Sequence, residues 1–287
     1  MTEPILTYLR EPTPSTLKLP FGACDAHVHI FGPSTVFPYA PTASFTPVDA
    51  PKETLFALHA KAGIHRCVIV QSLVHGYDNR VVEDAMQAAS GRYLGVALVA
   101  LDVSDAELKR LAGVGFRGVR FHFMKGGKGY DPQTVIDFTK RLEPHGLHVQ
   151  IHFDGSLARE LTPFLKKSAV PVVIDHMGRV DATLGIDHEN FQAVCRLVEE
   201  PNFMVKVSGI DRIDSKPPYT YGIPLARHLV HNYPDRCVWG SDWPHPNHTH
   251  VPDDGMLFDA LAQIAPKPEV LHQLLVDNPQ RLYRFSA

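Results

Sequence analysis

The stretch Asp25-Ala26-His27-Val28-His29-Ile30-Phe31-Gly32-Pro33 decides the reading of this 287-residue chain. It begins as a short buried strand. Alternate residues of a strand point to one face, so His27 and His29 aim two imidazoles at one point from its C-terminal end. A second stretch, WGSDWPHPN at 239–247, reads as the end of a last strand and offers Asp242. The acid and the histidines meet only if first and last strands are neighbours, and a closed parallel barrel makes them so.

The sequence between them alternates strand with helix. Apolar runs end near 29, 71, 99, 123, 153, 175, 208 and 240. Helical spacing fills the gaps at about 52–62, 79–89, 104–113, 131–143, 157–167, 190–199 and 224–232, with two more helices near 256–264 and 268–276. Ser104 with Glu107 makes a capping box for a helix that Gly113 stops. Asp131-Pro132 places an N-cap before a first-turn proline. Eight such units predict parallel strands in a single-domain (β/α)8 TIM barrel over 1–287, with 1–20 as an arm laid over the body. A doubly wound open sheet is the other arrangement of these units. The lack of a Gly-rich phosphate motif after the first strand counts against it.

Composition narrows the function. Apolar residues make up 44% and net charge is −3 with no basic block, which argues against nucleic acid as partner. No apolar run is long enough to span a membrane and no signal peptide is apparent, so no membrane partner is expected. Cys24, Cys67, Cys195 and Cys237 form no CxxC pair, and three of them sit in or beside apolar runs, which predicts buried free thiols and a cytoplasmic setting. The sequence leaves a homo-oligomer open.

Ionisable residues fall where a barrel places its active site. His27 and His29 end strand one. Arg120 and His122 share a face of strand four, His152 ends strand five, and His176 ends strand six. Lys206 and Ser208 share a face of strand seven, and Asp242 follows strand eight. A lone strand-end histidine is usually a hydrogen-bonded structural residue. This set, with HxH and a late Asp, instead predicts convergence on a metal or a polar substrate, because unpartnered buried polar groups are costly. Arg120 reads either as a core ion pair or as an anchor for an anionic substrate. His245 is close enough to Asp242 to contact substrate as well.

These motifs resemble the amidohydrolase superfamily. The likeness runs from DAHVHIFGP through VIVQ, GVRFHF, VVIDHMGR, WGSDWPHPN and PDDG to DNPQRLY. It is nearest to the branch of lactone hydrolases that includes the 2-pyrone-4,6-dicarboxylate and 4-sulfomuconolactone enzymes. The resemblance implies hydrolysis of an anionic unsaturated lactone from bacterial breakdown of aromatic compounds. It makes Asp242 the base that activates water, and gives His27, His29 and His176 the polarising of the lactone carbonyl or the binding of metal. Arg120 and Arg212 match arginines that hold substrate carboxylates, with His122 and His245 beside them.

Departures from the pyrone-dicarboxylate pattern separate two readings. That enzyme works without metal and has a tyrosine where this chain has His152. It also has an arginine and a serine where this chain has Gly126 and Leu73. The resemblance then implies the superfamily's metal pattern, with His27, His29, His152 and Asp242 around one divalent ion, zinc. It also implies a 4-sulfomuconolactone-like substrate. A metal-free pyrone-dicarboxylate lactonase and a non-oxidative aromatic-acid decarboxylase are the alternatives. The loop at 124–130, with Gly126, Gly127 and Gly129, is expected to act as a moving lid.

Overall fold

The computed structural model describes residues 3–124, 128–247 and 250–286. Eight strands run in sequence order around a nearly closed barrel: β1 Cys24–Val28, β2 Arg66–Val70, β3 Tyr93–Ala97, β4 Phe116–Met124, β5 His148–Phe153, β6 Val172–Ile174, β7 Phe203–Ser208 and β8 Cys237–Gly240. Every adjacent pair from β1 to β8 is parallel. Helices α1 Lys52–Ala62, α2 Arg80–Ala88, α3 Asp105–Val114, α4 Pro132–Leu142, α5 Ala158–Leu165, α6 Glu189–Val198 and α7 Gly222–Asn232 occupy the connections, and α8 Asp254–Ile264 follows β8.

The strand residues alternate between two cores, as a period of two requires. Cys67 and Ile69 pack outward with the helices. Val68 and Val70 point into the barrel with Ala26, Val96, Val173 and Val238, and Tyr283 and Phe285 from the chain end join them. Helix ends follow their side chains. The Ser104 hydroxyl accepts from the N–H of Glu107, and Asp131 accepts from Thr134 with Pro132 in the first turn. The stop expected at Gly113 comes two residues later, because Gly115 is the residue that takes φ 119°.

Barrel closure is made by the two stretches that opened the sequence reading. The backbone N–H of Asp242 donates to the carbonyl of His27 at 2.8 Å, and that of His29 to the carbonyl of Trp243 at 2.6 Å. The buried Asp25 carboxylate clamps both chains, accepting from the N–H groups of His27 at 3.1 Å and Ser241 at 3.0 Å. An open sheet has no such seam.

Some elements were not foreseen, the helix Asn278–Tyr283 near the chain end among them. The helix Ile210–Ile213 follows β7, and a two-residue strand, Lys128–Gly129, turns back on the end of β4. The expected lid falls partly at 125–127, outside the described residues. Near the start of the chain, the Ser15 and Thr16 hydroxyls donate to Asp259 of α8 at 2.7 and 3.1 Å. All four cysteines are free and buried, and no helix of the described residues is long and apolar enough to cross a membrane.

Candidate active site

At the C-terminal ends of the strands, three imidazoles face one carboxylate oxygen. Nε2 of His29, His27 and His176 lie 3.4, 3.6 and 3.9 Å from Oδ1 of Asp242. All four residues are buried. Each ring is held by its other nitrogen. His29 Nδ1 lies 2.7 Å from the Val70 carbonyl, and His176 Nδ1 lies 3.0 Å from the Ser208 hydroxyl. His27 Nδ1 sits between Lys206 Nζ at 3.2 Å and Asp175 Oδ1 at 3.3 Å.

The local backbone is bent to bring these groups inward. Asp242 takes φ 67°, and His176, Met177, Gly178 and Arg179 all take left-handed values of 48°, 52°, 69° and 49°. For residues with a β-carbon such values cost roughly 1–2 kcal/mol each. Gly209 packs against the same ring: a β-carbon there would lie 2.8 Å from His176 Nδ1.

Burial governs the charges. It pushes the His176 imidazole down to about 3, against the pull of Asp242, and drives His27 well below its ordinary value with help from Lys206. His29 is lowered for the same reason. Neutral imidazoles are what a metal or a developing oxyanion requires. Burial alone would raise Asp175, but Arg120, His27 and Lys206 together hold it well below the usual carboxylate range. Lys206, fully buried, is lowered to about 8 by burial against the pull of Asp175.

The donor set fits a divalent ion. His27, His29 and Asp242 offer ligand atoms within 4.8 Å of one another, and His27 groups likewise with His176 and Asp175. Nε2 of His27 and of His176 has no hydrogen-bond partner among the described residues. Each histidine carries the outer hydrogen bond typical of a metal-ligating imidazole.

His152, expected to complete the ligand set, is not part of this group. Its Nδ1 lies 2.8 Å from a terminal nitrogen of Arg120, and its Nε2 lies 3.4 Å from one of Arg179. The ring is turned toward guanidinium groups, and His176 instead is the third imidazole beside Asp242. His245, expected at the substrate, also turns away: its Nε2 lies 3.1 Å from Asp254 of α8, which raises its pKa despite the opposing effect of burial.

A cavity of about 300 Å³ opens above the cluster. His29, Leu73, His122, Met124, His152, Arg120, Arg179 and Arg212 are among its walls. Two of its three arginines already hold carboxylates. Arg120 Nε donates to Asp175 Oδ2 at 2.8 Å, which is the core ion pair open in the sequence, and Arg212 Nε donates to Asp242 Oδ2. Asp175 and Arg179 were missed as site residues. Both stand in the quoted run VVIDHMGR, and the Asp-His pair was the available signal.

Comparison with known proteins agrees with this geometry. A family model described as amidohydrolase matches residues 24–285. A 2-pyrone-4,6-dicarboxylate hydrolase of Comamonas testosteroni is 42% identical over 290 residues, covering 97% of this chain and 95% of its own. A 4-sulfomuconolactone hydrolase of Hydrogenophaga intermedia is 38% identical over 277 residues, covering 94% and 91%. The crystal structure of a probable 2-pyrone-4,6-dicarboxylic acid hydrolase from Acinetobacter baumannii, with citric acid bound, superposes with a TM-score of 0.82 at 26% identity, covering 92% of this chain and all of that one. With strands, seam and inward histidines all in place, the chain belongs to the amidohydrolase family.

Proposed function

We propose that this protein is a lactone hydrolase acting on an anionic, unsaturated lactone of the 4-sulfomuconolactone or pyrone-dicarboxylate type. The observation that carries the reading is the convergence of three neutral imidazoles on Asp242 Oδ1 beneath a cationic cavity. Relatives named for both substrates, and a related structure holding a tricarboxylic acid, support an anionic ligand. Overall identity does not separate the two lactones. Leu73 and His152 on the cavity wall favour the sulfonated one.

Ring opening needs a nucleophilic water, a base for its proton, and stabilisation of a tetrahedral oxyanion. In this reading Asp242 takes the proton and passes it to the departing ring oxygen. His176, when its Nε2 carries a proton and holds no ion, would donate to the developing oxyanion, where one donor is often worth about 3–4 kcal/mol. Arg212 fixes the second oxygen of Asp242, so the first is presented to the histidines. His27, His29, His176 and Asp242 are the residues that would hold a divalent ion such as zinc, which supplies Lewis acidity and a more acidic water when bound.

The test is hydrolysis of 4-sulfomuconolactone, 2-pyrone-4,6-dicarboxylate and a neutral lactone, followed by loss of ultraviolet absorbance. Turnover of an anionic lactone at a kcat/KM at least a hundred times that of the neutral one is expected. Inertness toward both anionic lactones, or release of carbon dioxide from an aromatic acid, would overturn the proposal.

A further inference from the structure

His152 has two ring nitrogens and two guanidinium neighbours. A neutral imidazole has one acceptor nitrogen, and a guanidinium can only donate. Arg120 claims the acceptor, at 2.8 Å from Nδ1. Nε2 therefore carries the proton, and it faces the Arg179 nitrogen at 3.4 Å, donor against donor. The other contact of that nitrogen is a weak one, to Met124 Sδ at 3.8 Å. No carboxylate lies within 4.0 Å of Arg179 among the described residues, and Asp154 and Asp242 act on it only from farther away. Arg179 is thus unlike Arg120 and Arg212, whose charges are matched by Asp175 and Asp242.

The backbone is also committed to this placement. Arg179 ends four successive left-handed residues, and Gly155 packs so closely on it that a β-carbon there would lie 2.6 Å from the Arg179 carbonyl oxygen. Strain held in place by close packing is typical of functional segments. Arg179 also borders a second, outer cavity of about 600 Å³ with Arg212 and Lys216, so it stands between solvent and the inner cavity.

We propose that Arg179 and the Nε2–H of His152 form the receptor for the anionic substituent of the substrate, and that this pair sets the enzyme's demand for negative charge. A sulfonate or carboxylate oxygen placed between the two donors satisfies both, and its charge gives Arg179 the direct ion pair that Arg120 and Arg212 already have. Arg120 then acts through His152 as a positioning residue, holding the lone pair on Nδ1. The inference rests on the lactone-hydrolase reading for its substrate, but not for its test.

The test is calorimetric binding of 4-sulfobenzoate, a stable ring carrying a sulfonate and a carboxylate, with neutral 4-sulfamoylbenzamide as control. The variants are R179Q, R179K and H152F. R179Q should weaken 4-sulfobenzoate at least thirtyfold, R179K less than tenfold, and H152F about tenfold, with the neutral ring little changed in all. If R179Q does not fold, the ranking of wild type, R179K and H152F still decides. Wild-type protein that does not bind 4-sulfobenzoate, or variants that bind it as tightly as wild type, would overturn the receptor. Binding that follows this ranking in a protein that opens no lactone would sustain the receptor and remove the proposed substrate.

Discussion

Gly240 lies against His27 so tightly that a β-carbon at 240 would sit 2.6 Å from both the backbone nitrogen and the β-carbon of His27. The last strand can therefore approach the first only because residue 240 has no side chain. Gly240→Ala should cost roughly 1–3 kcal/mol from overpacking and shift Asp242 away from the histidines. Urea unfolding and activity, measured on one preparation, check this together. An alanine variant with unchanged midpoint and turnover would contradict it.

Removing the proposed base should separate folding from chemistry. Asp242→Asn keeps shape and volume, and is expected to lower kcat by at least a thousandfold while the circular dichroism spectrum stays that of the parent. Turnover within tenfold of the parent would take Asp242 out of the role of base.

Metal content should follow the geometry rather than the sequence pattern. Elemental analysis should find about one zinc per chain in the parent protein, with a strong loss in His29→Ala and His176→Ala. His152→Tyr should leave the metal content near that of the parent, because His152 faces Arg120 and Arg179. Loss of zinc in His152→Tyr with retention in His176→Ala would restore the ligand set first read from the sequence.

Acid should destabilise the barrel earlier than its carboxylates alone would suggest. Burial lowers His148 to about 3, and lowers His122 and His152 well below the ordinary imidazole value near 6.5. Between about pH 6.5 and pH 3 the unfolded chain takes up protons that the folded chain refuses. Stability from these groups is complete above about 6.5 and falls with pH through that window, by up to about 1.4 kcal/mol per pH unit for each histidine. Urea midpoints of chelator-treated protein between pH 7 and 4.5 measure the slope. His148→Gln should reduce it by about one proton, and an unchanged slope would remove His148 from the account.

The barrel was legible because its determinants are local. Unbroken apolar runs, the Ser104 and Asp131 caps and the DAHVHIFGP and WGSDWPHPN stretches fix strands, helices and seam from sequence alone. Helix α8 begins at Asp254, two residues before the apolar spacing at Met256 suggested, since its cap is the Asp253 side chain. Which way each polar side chain turns was not legible. His152 and His245 stand near the strand ends as expected, yet their rings answer to Arg120, Arg179 and Asp254, residues that no spacing rule connects to them. Arg120 was open between two roles because its partner, Asp175, directly follows the strand two places along the sheet.

The seam between β1 and β8 has a consequence for biosynthesis. Asp25 has to wait for Ser241 to leave the ribosome before its clamp can close, so every shorter nascent chain carries the two histidines without their acid. A truncated product would hold an open edge strand rather than a weakened enzyme, and it should be met by chaperones or proteases instead of by substrate.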